Sequence, residues 1–144
     1  MKRSLAVAVA VLLVAGRTRA GTPDEEQILG PGRQPQVAVT ADGGVAVAFV
    51  RDGNVVVSVS ADRGRSFPAP VTALDAGGKA PGAARRGPRI ACDAAGVLYV
   101  TAPYAVDPEE LKARYPRPEL WFTSSGDGGK TWAVFGAVKV TDAW

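Results

Sequence analysis

Short apolar runs alternate with turn residues along most of this chain. Residues 36–40 alternate polar and apolar, Ala41-Asp42-Gly43-Gly44 supplies a turn, and 45–50 is a second apolar run. Asp52-Gly53-Asn54 marks a tight hairpin before a third run at 55–60, and a short fourth strand is expected near 69–74. Runs this short, bounded by Gly, Asp and Asn, suit strands on a half-buried sheet rather than helices, which need longer stretches. The pattern predicts one unit of four antiparallel strands over residues 35–87, after a lead-in at 21–34.

The same order then recurs. Pro88-Arg89-Ile90-Ala91-Cys92 matches Pro35-Gln36-Val37-Ala38-Val39, and Asp93-Ala94-Ala95-Gly96 matches the first turn. Residues 97–101 match 45–49, residues 120–124 match 55–59, and a last strand is expected at 137–141. From Pro35 to Ser60 is 25 positions and from Pro88 to Ser125 is 37, so the second unit, 88–144, carries 12 extra residues around 106–117. Self-similarity at this period predicts an all-β repeat of propeller type rather than a small closed barrel.

The first 20 residues are of another kind. Lys2-Arg3 precede an 11-residue apolar run at 5–15, and Thr18-Arg19-Ala20 offers a small-residue cleavage site before Gly21. Eleven residues rise about 16 Å as a helix, well short of the ~30 Å bilayer core. Residues 1–20 are read as an export signal, which predicts a secreted or periplasmic product with no stable membrane span after its removal. An uncleaved anchor or a buried helix is the other reading.

Charge changes the picture less than it first suggests. The chain of 144 residues has a net charge of +3, but Lys2, Arg3, Arg17 and Arg19 lie in the leader. Removing those four from the 17 basic residues leaves 13 against 14 acidic ones, a net of −1, and gives no reason to expect nucleic-acid binding. With no histidine, Ser-His-Asp and Cys-His catalysis and His-dependent zinc sites are excluded. The single cysteine, Cys92, forms no internal disulfide and reads as a small core hydrophobe, and no cofactor or metal is expected.

The sharpest motif falls between strands three and four of each unit. Ser60-Ala61-Asp62-Arg63-Gly64-Arg65-Ser66-Phe67 and Ser125-Gly126-Asp127-Gly128-Gly129-Lys130-Thr131-Trp132 share S-x-D-x-G-x-[ST]-[FW]. An Asp in such a turn accepts backbone N–H bonds, the Gly allows a positive φ, the hydroxyl closes a local bond and the aromatic tucks beneath. Two occurrences at equivalent places make the signal specific.

These residues resemble the Asp-box, or BNR, repeats of the sialidase superfamily, over roughly residues 33–144. The resemblance implies two four-stranded antiparallel blades of an incomplete, six-bladed β-propeller. It also implies a structural role for Ser60, Asp62, Gly64, Ser66 and Phe67 and for Ser125, Asp127, Gly129, Thr131 and Trp132, away from any catalytic face. Sialidases hold the substrate carboxylate with an arginine triad, protonate with an Asp, and attack with a Tyr assisted by a Glu. The family's first arginine lies in an R-I-P sequence, matched here by Arg33-Gln34-Pro35 with Gln for Ile; Arg89 is a second candidate, one place past Pro88. An Arg fork suits a carboxylate because two parallel N–H bonds fix its plane. Asp52 stands in the connection that carries the family's acid, and it is also an ordinary hairpin residue. The insertion holds Tyr104, Asp107, Glu109, Glu110, Arg114, Tyr115 and Arg117, either as a binding loop or as a solvated one, with one helical turn over 108–114 as a further expectation.

Three functional classes follow. The first is an exo-α-sialidase-type glycoside hydrolase acting on sialylated or other acidic glycans. The others are a non-catalytic glycan- or protein-binding propeller and a plain scaffold. Two blades do not close a ring, so the sequence is read as the N-terminal piece of a longer propeller, with ring closure by oligomerisation as the alternative. The leader makes one prediction. N-terminal sequencing of the exported protein should start near Gly21, and an intact Met1 on a cytoplasmic product would contradict it.

Overall fold

A computed structural model describes residues 26–80, 87–104 and 119–138. The expected export signal at 1–20, the 106–117 insertion and the end of the last strand beyond residue 138 lie outside the described residues. Among the described residues eight strands form two four-stranded antiparallel sheets, each a meander in sequence order. The first sheet holds β1 (Arg33–Val39), β2 (Val45–Arg51), β3 (Asn54–Ser60) and β4 (Val71–Leu74). The second holds β5 (Arg89–Cys92), β6 (Leu98–Tyr104), β7 (Glu119–Ser125) and β8 (Ala133–Val138). Among the described residues no helix is long and apolar enough to cross a membrane.

Local chemistry accounts for the boundaries. Asp52 and Gly53 both take positive φ, 51° and 68°, and so form the two-residue turn whose twist matches paired strands. The fourth strands depart from expectation in opposite directions. In the first sheet Pro68 and Pro70 cannot donate to a ladder, so β4 begins only at Val71 rather than at 69. In the second sheet Ala133 pairs with Ser124 directly after Trp132, so β8 starts four residues before the expected 137. Both fourth strands are fastened alike. The buried Ser58 hydroxyl donates to the Pro68 carbonyl at 2.7 Å, and the buried Thr123 hydroxyl to that of Ala133 at 2.8 Å.

The repeat register also needs one correction. Val39 pairs with Val45 and Cys92 with Leu98, so β6 is matched to β2 with Leu98, not Val97, opposite Val45. The left-handed glycines of the two turns are Gly43 and Gly96, at φ 82° and 84°. Thr40 therefore stands where Asp93 does, and Gly44 where Val97 does. In each turn the first residue's N–H reaches the carbonyl of the fifth at 3.0 Å. Matching Gly44 with Gly96 by letter slips the strand by one residue, which exchanges its two faces. Strands β5 and β6 thus follow β1 and β2 at 53 residues, and β7 follows β3 at 65. All 12 extra residues fall between Tyr104 and Glu119.

With that register, the packing of the sheets becomes directional. One face of the first sheet carries Ala48, Val50, Val55 and Val57, with Leu74 beside Val55. It packs on the face of the second sheet that carries Ile90, Val100, Ala102, Tyr104 and Trp121. Trp132 packs into the same core, and Tyr104 lies against Trp121 with ring centroids 4.4 Å apart. The positions matching Ile90, Val100, Ala102 and Trp121 in the first sheet are Val37, Val47, Phe49 and Val56, on its opposite face. There Val47, Phe49 and Val56 form a smaller cluster with Leu29, Val45 and Phe67. The sheets therefore stack front to back, like successive members of a series.

The hairpin at Gly53 is packed as well as turned. A Cβ there would lie 2.1 Å from the Gly78 carbonyl oxygen, while the Gly53 carbonyl accepts from Ala80 N–H at 2.7 Å. Asn54 Oδ1 accepts from the N–H groups of Ala76 and Gly78, which anchors the same loop. Gly53→Ala should therefore cost about 2–4 kcal/mol, from the positive φ and the backbone overlap together. Urea unfolding of the two proteins would measure it; an unchanged midpoint would contradict the close approach.

Candidate functional site: a cleft at the hairpin end and the turns opposite it

The sheets present two ends of different chemistry. At one end the β3–β4 and β7–β8 turns fold on their own side chains. The Ser60 hydroxyl accepts from Gly64 N–H at 2.8 Å and donates to Asp62 Oδ1 at 2.7 Å. Asp62 in turn accepts from Ser66 N–H at 2.8 Å and from the Ser66 hydroxyl at 2.6 Å. The second turn repeats this set. Ser125 takes Gly129 N–H at 2.9 Å and donates to Asp127 at 2.8 Å. Asp127 accepts from Thr131 N–H at 2.9 Å, from the Thr131 hydroxyl at 2.5 Å and from Lys130 N–H at 3.0 Å.

Backbone shape explains the glycines. Positions 63 and 64 take φ 64° and 84°, and positions 128 and 129 take 74° and 85°. Two consecutive left-handed residues are easy for Gly128-Gly129, whereas Arg63 bears the steric cost a side chain meets there. Trp132 reaches back to donate its indole N–H to the Gly129 carbonyl at 3.1 Å. Phe67, which lacks such a donor, instead joins the cluster around Phe49.

These bonds settle the electrostatics of the turns. Asp62 is held well below the usual carboxylate range, most strongly by the Ser66 hydroxyl, then by the Ser60 hydroxyl and Ser66 N–H. Asp127 is lowered likewise, by the Thr131 hydroxyl, Thr131 N–H and the Ser125 hydroxyl in that order. The β5–β6 turn holds a third such carboxylate. Val97 N–H lowers Asp93 most, followed by the Tyr99 hydroxyl, which donates at 2.9 Å and whose own pKa is raised by that bond. Asp42 is lowered by the Thr40 hydroxyl and Gly44 N–H. A space of about 490 Å³ lies at this end, bordered by Asp42, Asp127 and Lys130. Both carboxylates there already serve their own turns, which leaves little acceptor capacity for a ligand.

The opposite end is different. A cleft of about 500 Å³ opens where β1 begins and the β2–β3 hairpin turns, lined by Gly32, Arg33, Arg51, Asp52, Gly53 and Ala80 among others. Arg33 pairs with Val50 and Arg51 with Asn54, so the register brings both guanidinium-bearing residues and Asp52 to one rim. A register shift between Arg33 and Gln36 accompanies Gln34, whose φ is 57°, and this bulge sets the entry of β1. Among the described residues, the side chains of Arg33, Arg51 and Asp52 hold no hydrogen bond or ion pair. Two cations that have no partner among the described residues, with one carboxylate beside a cleft, can take an anion bearing hydroxyls, because Arg offers forked donors and Asp accepts.

Of the residues singled out from the sequence, Arg33 and Asp52 thus meet at one cleft. Arg89 does not join them; it sits on β5 opposite Thr101, and its guanidinium donates to the Pro88 carbonyl at 3.3 Å. The position matching Arg33 at the 53-residue interval is 86, which is outside the described residues. Arg51 was not singled out from sequence, and pairing with Asn54 across the hairpin was the signal for it. Asp62 lies a full strand of seven residues from Asp52, about 20 Å, so the two are not a catalytic carboxylate pair. Of the residues given to the insertion, Tyr104 instead ends β6 and packs against Trp121, and Asp107, Glu109, Glu110, Arg114, Tyr115 and Arg117 lie outside the described residues. Among the described residues no group of three His, Cys, Asp or Glu side chains could hold a metal ion.

No protein-family model matches this chain, and no curated protein matches it. What the geometry defines by itself is a pair of stacked antiparallel sheets with carboxylate-closed turns at one end and a cationic cleft at the other.

The turns predict a pH dependence with a definite sign. Asp62 and Asp127 have folded pKa values below the unfolded value of about 3.9, so the unfolded chain binds protons first as acid is added. Their contribution is complete above about pH 4 and is lost as the pH falls towards the depressed folded values. Thermal melts from neutral pH downward should show this loss. The double variant Asp62→Asn, Asp127→Asn should be less stable at neutral pH and flatter in acid, with Asp42 and Asp93 supplying the remaining slope.

Proposed function

We propose that this chain is part of an exported Asp-box β-propeller of the sialidase type, and that its cleft receives a carboxylated sugar. The observation that carries the reading is the doubled turn: two S-x-D-x-G-x-[ST]-[FW] segments with matching hydrogen bonds, at matching places in two sheets stacked front to back. Front-to-back stacking is how propeller blades follow one another around an axis. The second support is that Arg33, Arg51 and Asp52 line one cleft at the end away from these turns.

In this reading the guanidinium groups of Arg33 and Arg51 hold the sugar carboxylate, and Asp52 faces the hydroxyl-bearing or leaving-group side. Within a complete ring such a site performs exo-α-sialidase-type glycoside hydrolysis, with a nucleophile supplied from other sheets. Proton donation by Asp52 would require a raised pKa in the bound state, since a general acid must carry its proton near working pH.

A second reading, a non-catalytic glycan- or protein-binding propeller, is favoured by one specific observation. Asp52 sits in a two-residue turn pinned against Gly78 rather than on a loop that could close over a substrate.

Titration of the exported chain with sialyllactose and with lactose separates these possibilities from a plain scaffold. Sialyllactose should bind and lactose should not, and Arg33→Ala or Arg51→Ala should weaken binding by about tenfold or more, the worth of a charge-assisted hydrogen bond. Equal response to both sugars would overturn the acidic-sugar reading. A fluorogenic sialoside should not be turned over by this chain alone, because each missing acid–base or nucleophilic group forfeits about 10²–10⁴ in rate.

A further inference from the structure

One left-handed residue beside the cleft has no counterpart in the second sheet. Among the described residues, Gln34, Asp52 and Arg63 are the non-glycine residues with positive φ. Asp52 and Arg63 lie in tight turns, where such backbone is usual, and aspartate tolerates it well. Gln34 lies inside β1, at φ 57°, directly before Pro35. A residue before proline favours extended backbone, so this conformation is costly on two counts. The fold itself does not demand it. Gly87-Pro88 stands where Gln34-Pro35 does at the 53-residue interval, yet Gly87, which could take a positive φ freely, does not.

The strand register gives this residue a task. Gln36 pairs with Ala48 and Arg33 with Val50, so three steps along β1 are set against two along β2, and Gln34 lies in the resulting bulge. A regular ladder carried on from Gln36 and Ala48 would set Arg33 opposite Arg51 instead. Like charges directly opposite on paired strands repel, and a slip of one residue also exchanges the sheet faces. The bulge carries Arg33 to the place of Val50, which belongs to the core between the sheets and, with Ala80, also lines the cleft. Arg51 stays one place on, opposite Asn54, so the two arginines line the cleft from offset positions. Close packing holds both flanks of Arg33. A Cβ on Gly32 would lie 2.3 Å from the Phe49 ring, and one on Gly87 would lie 2.4 Å from Gln34 Cβ. Strained backbone persists where its surroundings over-determine it, and such places gather at binding sites.

We propose that Gln34 is a positioning residue of the cleft: its left-handed backbone sets Arg33 beside Arg51 rather than opposite it, so that one planar carboxylate takes donors from both arginines. The inference rests on the reading of the cleft as a site for a carboxylated sugar. The Gln34 side chain need not touch the ligand, because the backbone turn is what acts. Residues that accept a positive φ should therefore preserve the site, and β-branched residues, for which that φ is an outlier, should undo it.

Nuclear Overhauser contacts between β1 and β2, urea unfolding and sialyllactose titration of the exported chain test it together. Gln34→Asn, which accepts a positive φ, should keep the contact of residue 33 with Val50 and hold binding within about twofold, at a urea midpoint no lower than before. Gln34→Val should move that contact to Arg51 and weaken binding by about tenfold or more, as Arg33→Ala does. In an Arg33→Ala background the valine should cost no further binding, since both changes act through one guanidinium. An unmoved contact in Gln34→Val, lost stability with binding intact, or a further loss in the Arg33→Ala background would overturn the proposal. Weakened binding or a lowered midpoint in Gln34→Asn would do the same, and that comparison stands even where the valine variant does not fold. Equal response of the unaltered chain to sialyllactose and lactose would instead fail the reading of the cleft, while the Overhauser contacts still report whether residue 34 sets the place of Arg33.

Discussion

Neither sheet can cover its own apolar surface, and this one constraint organises the molecule. A four-stranded sheet has two faces, and the side chains of Ala48, Val50, Val55 and Val57 leave water only because Val100, Ala102 and Trp121 lie over them. Valines, alanines and Leu74 of the first sheet meet Val100, Ala102 and the aromatic Tyr104 and Trp121 of the second. The hairpins, bulges and closed turns serve this contact by fixing register. A slip of one residue in β2 or β6 would carry the buried set to the other face. The buried Ser58 and Thr123 hydroxyls illustrate the point, since each ties the third strand to the chain entering the fourth.

Much of this was legible in the sequence, for identifiable reasons. Short apolar runs broken by Gly, Asp and Asn, together with the repeat, pointed to the strands of both sheets, and the repeated Ser-Asp-Gly-hydroxyl-aromatic string located two turns whose bonds are local. Local bonds are readable because every partner lies within five residues. The misjudged features depended on something that letters hide. Gly43 and Gly44 look alike, yet only Gly43 takes the left-handed φ, and choosing the other slipped β6 by one. The late start of β4 follows from two prolines, and the early start of β8 from Ala133 having an N–H where Pro68 has none. Arg51 was missed because its place at the cleft is a matter of pairing across a hairpin rather than of any motif.

The division between the two ends bears on function. Carboxylates whose oxygens are filled by Ser, Thr and backbone donors at 2.5–3.0 Å are poor candidates for chemistry, since any ligand must first displace those donors. The lowered pKa values of Asp62 and Asp127 record the same commitment, and a catalytic acid requires the reverse shift. At the other end the charged groups are held by strand ends and a pinned turn, and among the described residues their side chains have no partner. Donors so placed beside a cleft are the arrangement that binding sites share, and it is compatible with recognition with or without turnover.

The front-to-back order of the sheets sets the terms for any site at the cleft end. A face-to-face pair of equivalent surfaces would be finished by two sheets and would leave only polar exteriors. Here the faces in contact are not equivalent, so each sheet added covers one face and presents another of the kind just covered. Val37 and Val39 are exposed, whereas Ile90 at the place matching Val37 is packed against the core. The cleft lined by Arg33, Arg51 and Asp52 belongs to the first sheet of this series, and each later sheet would bring its own strand ends and hairpin to the same side. The second sheet already differs there, with 12 more residues between Tyr104 and Glu119 than the first has between Arg51 and Asn54. Variation of that connection, on a core whose register is fixed elsewhere, is how such a stack can diversify its cleft without disturbing its fold.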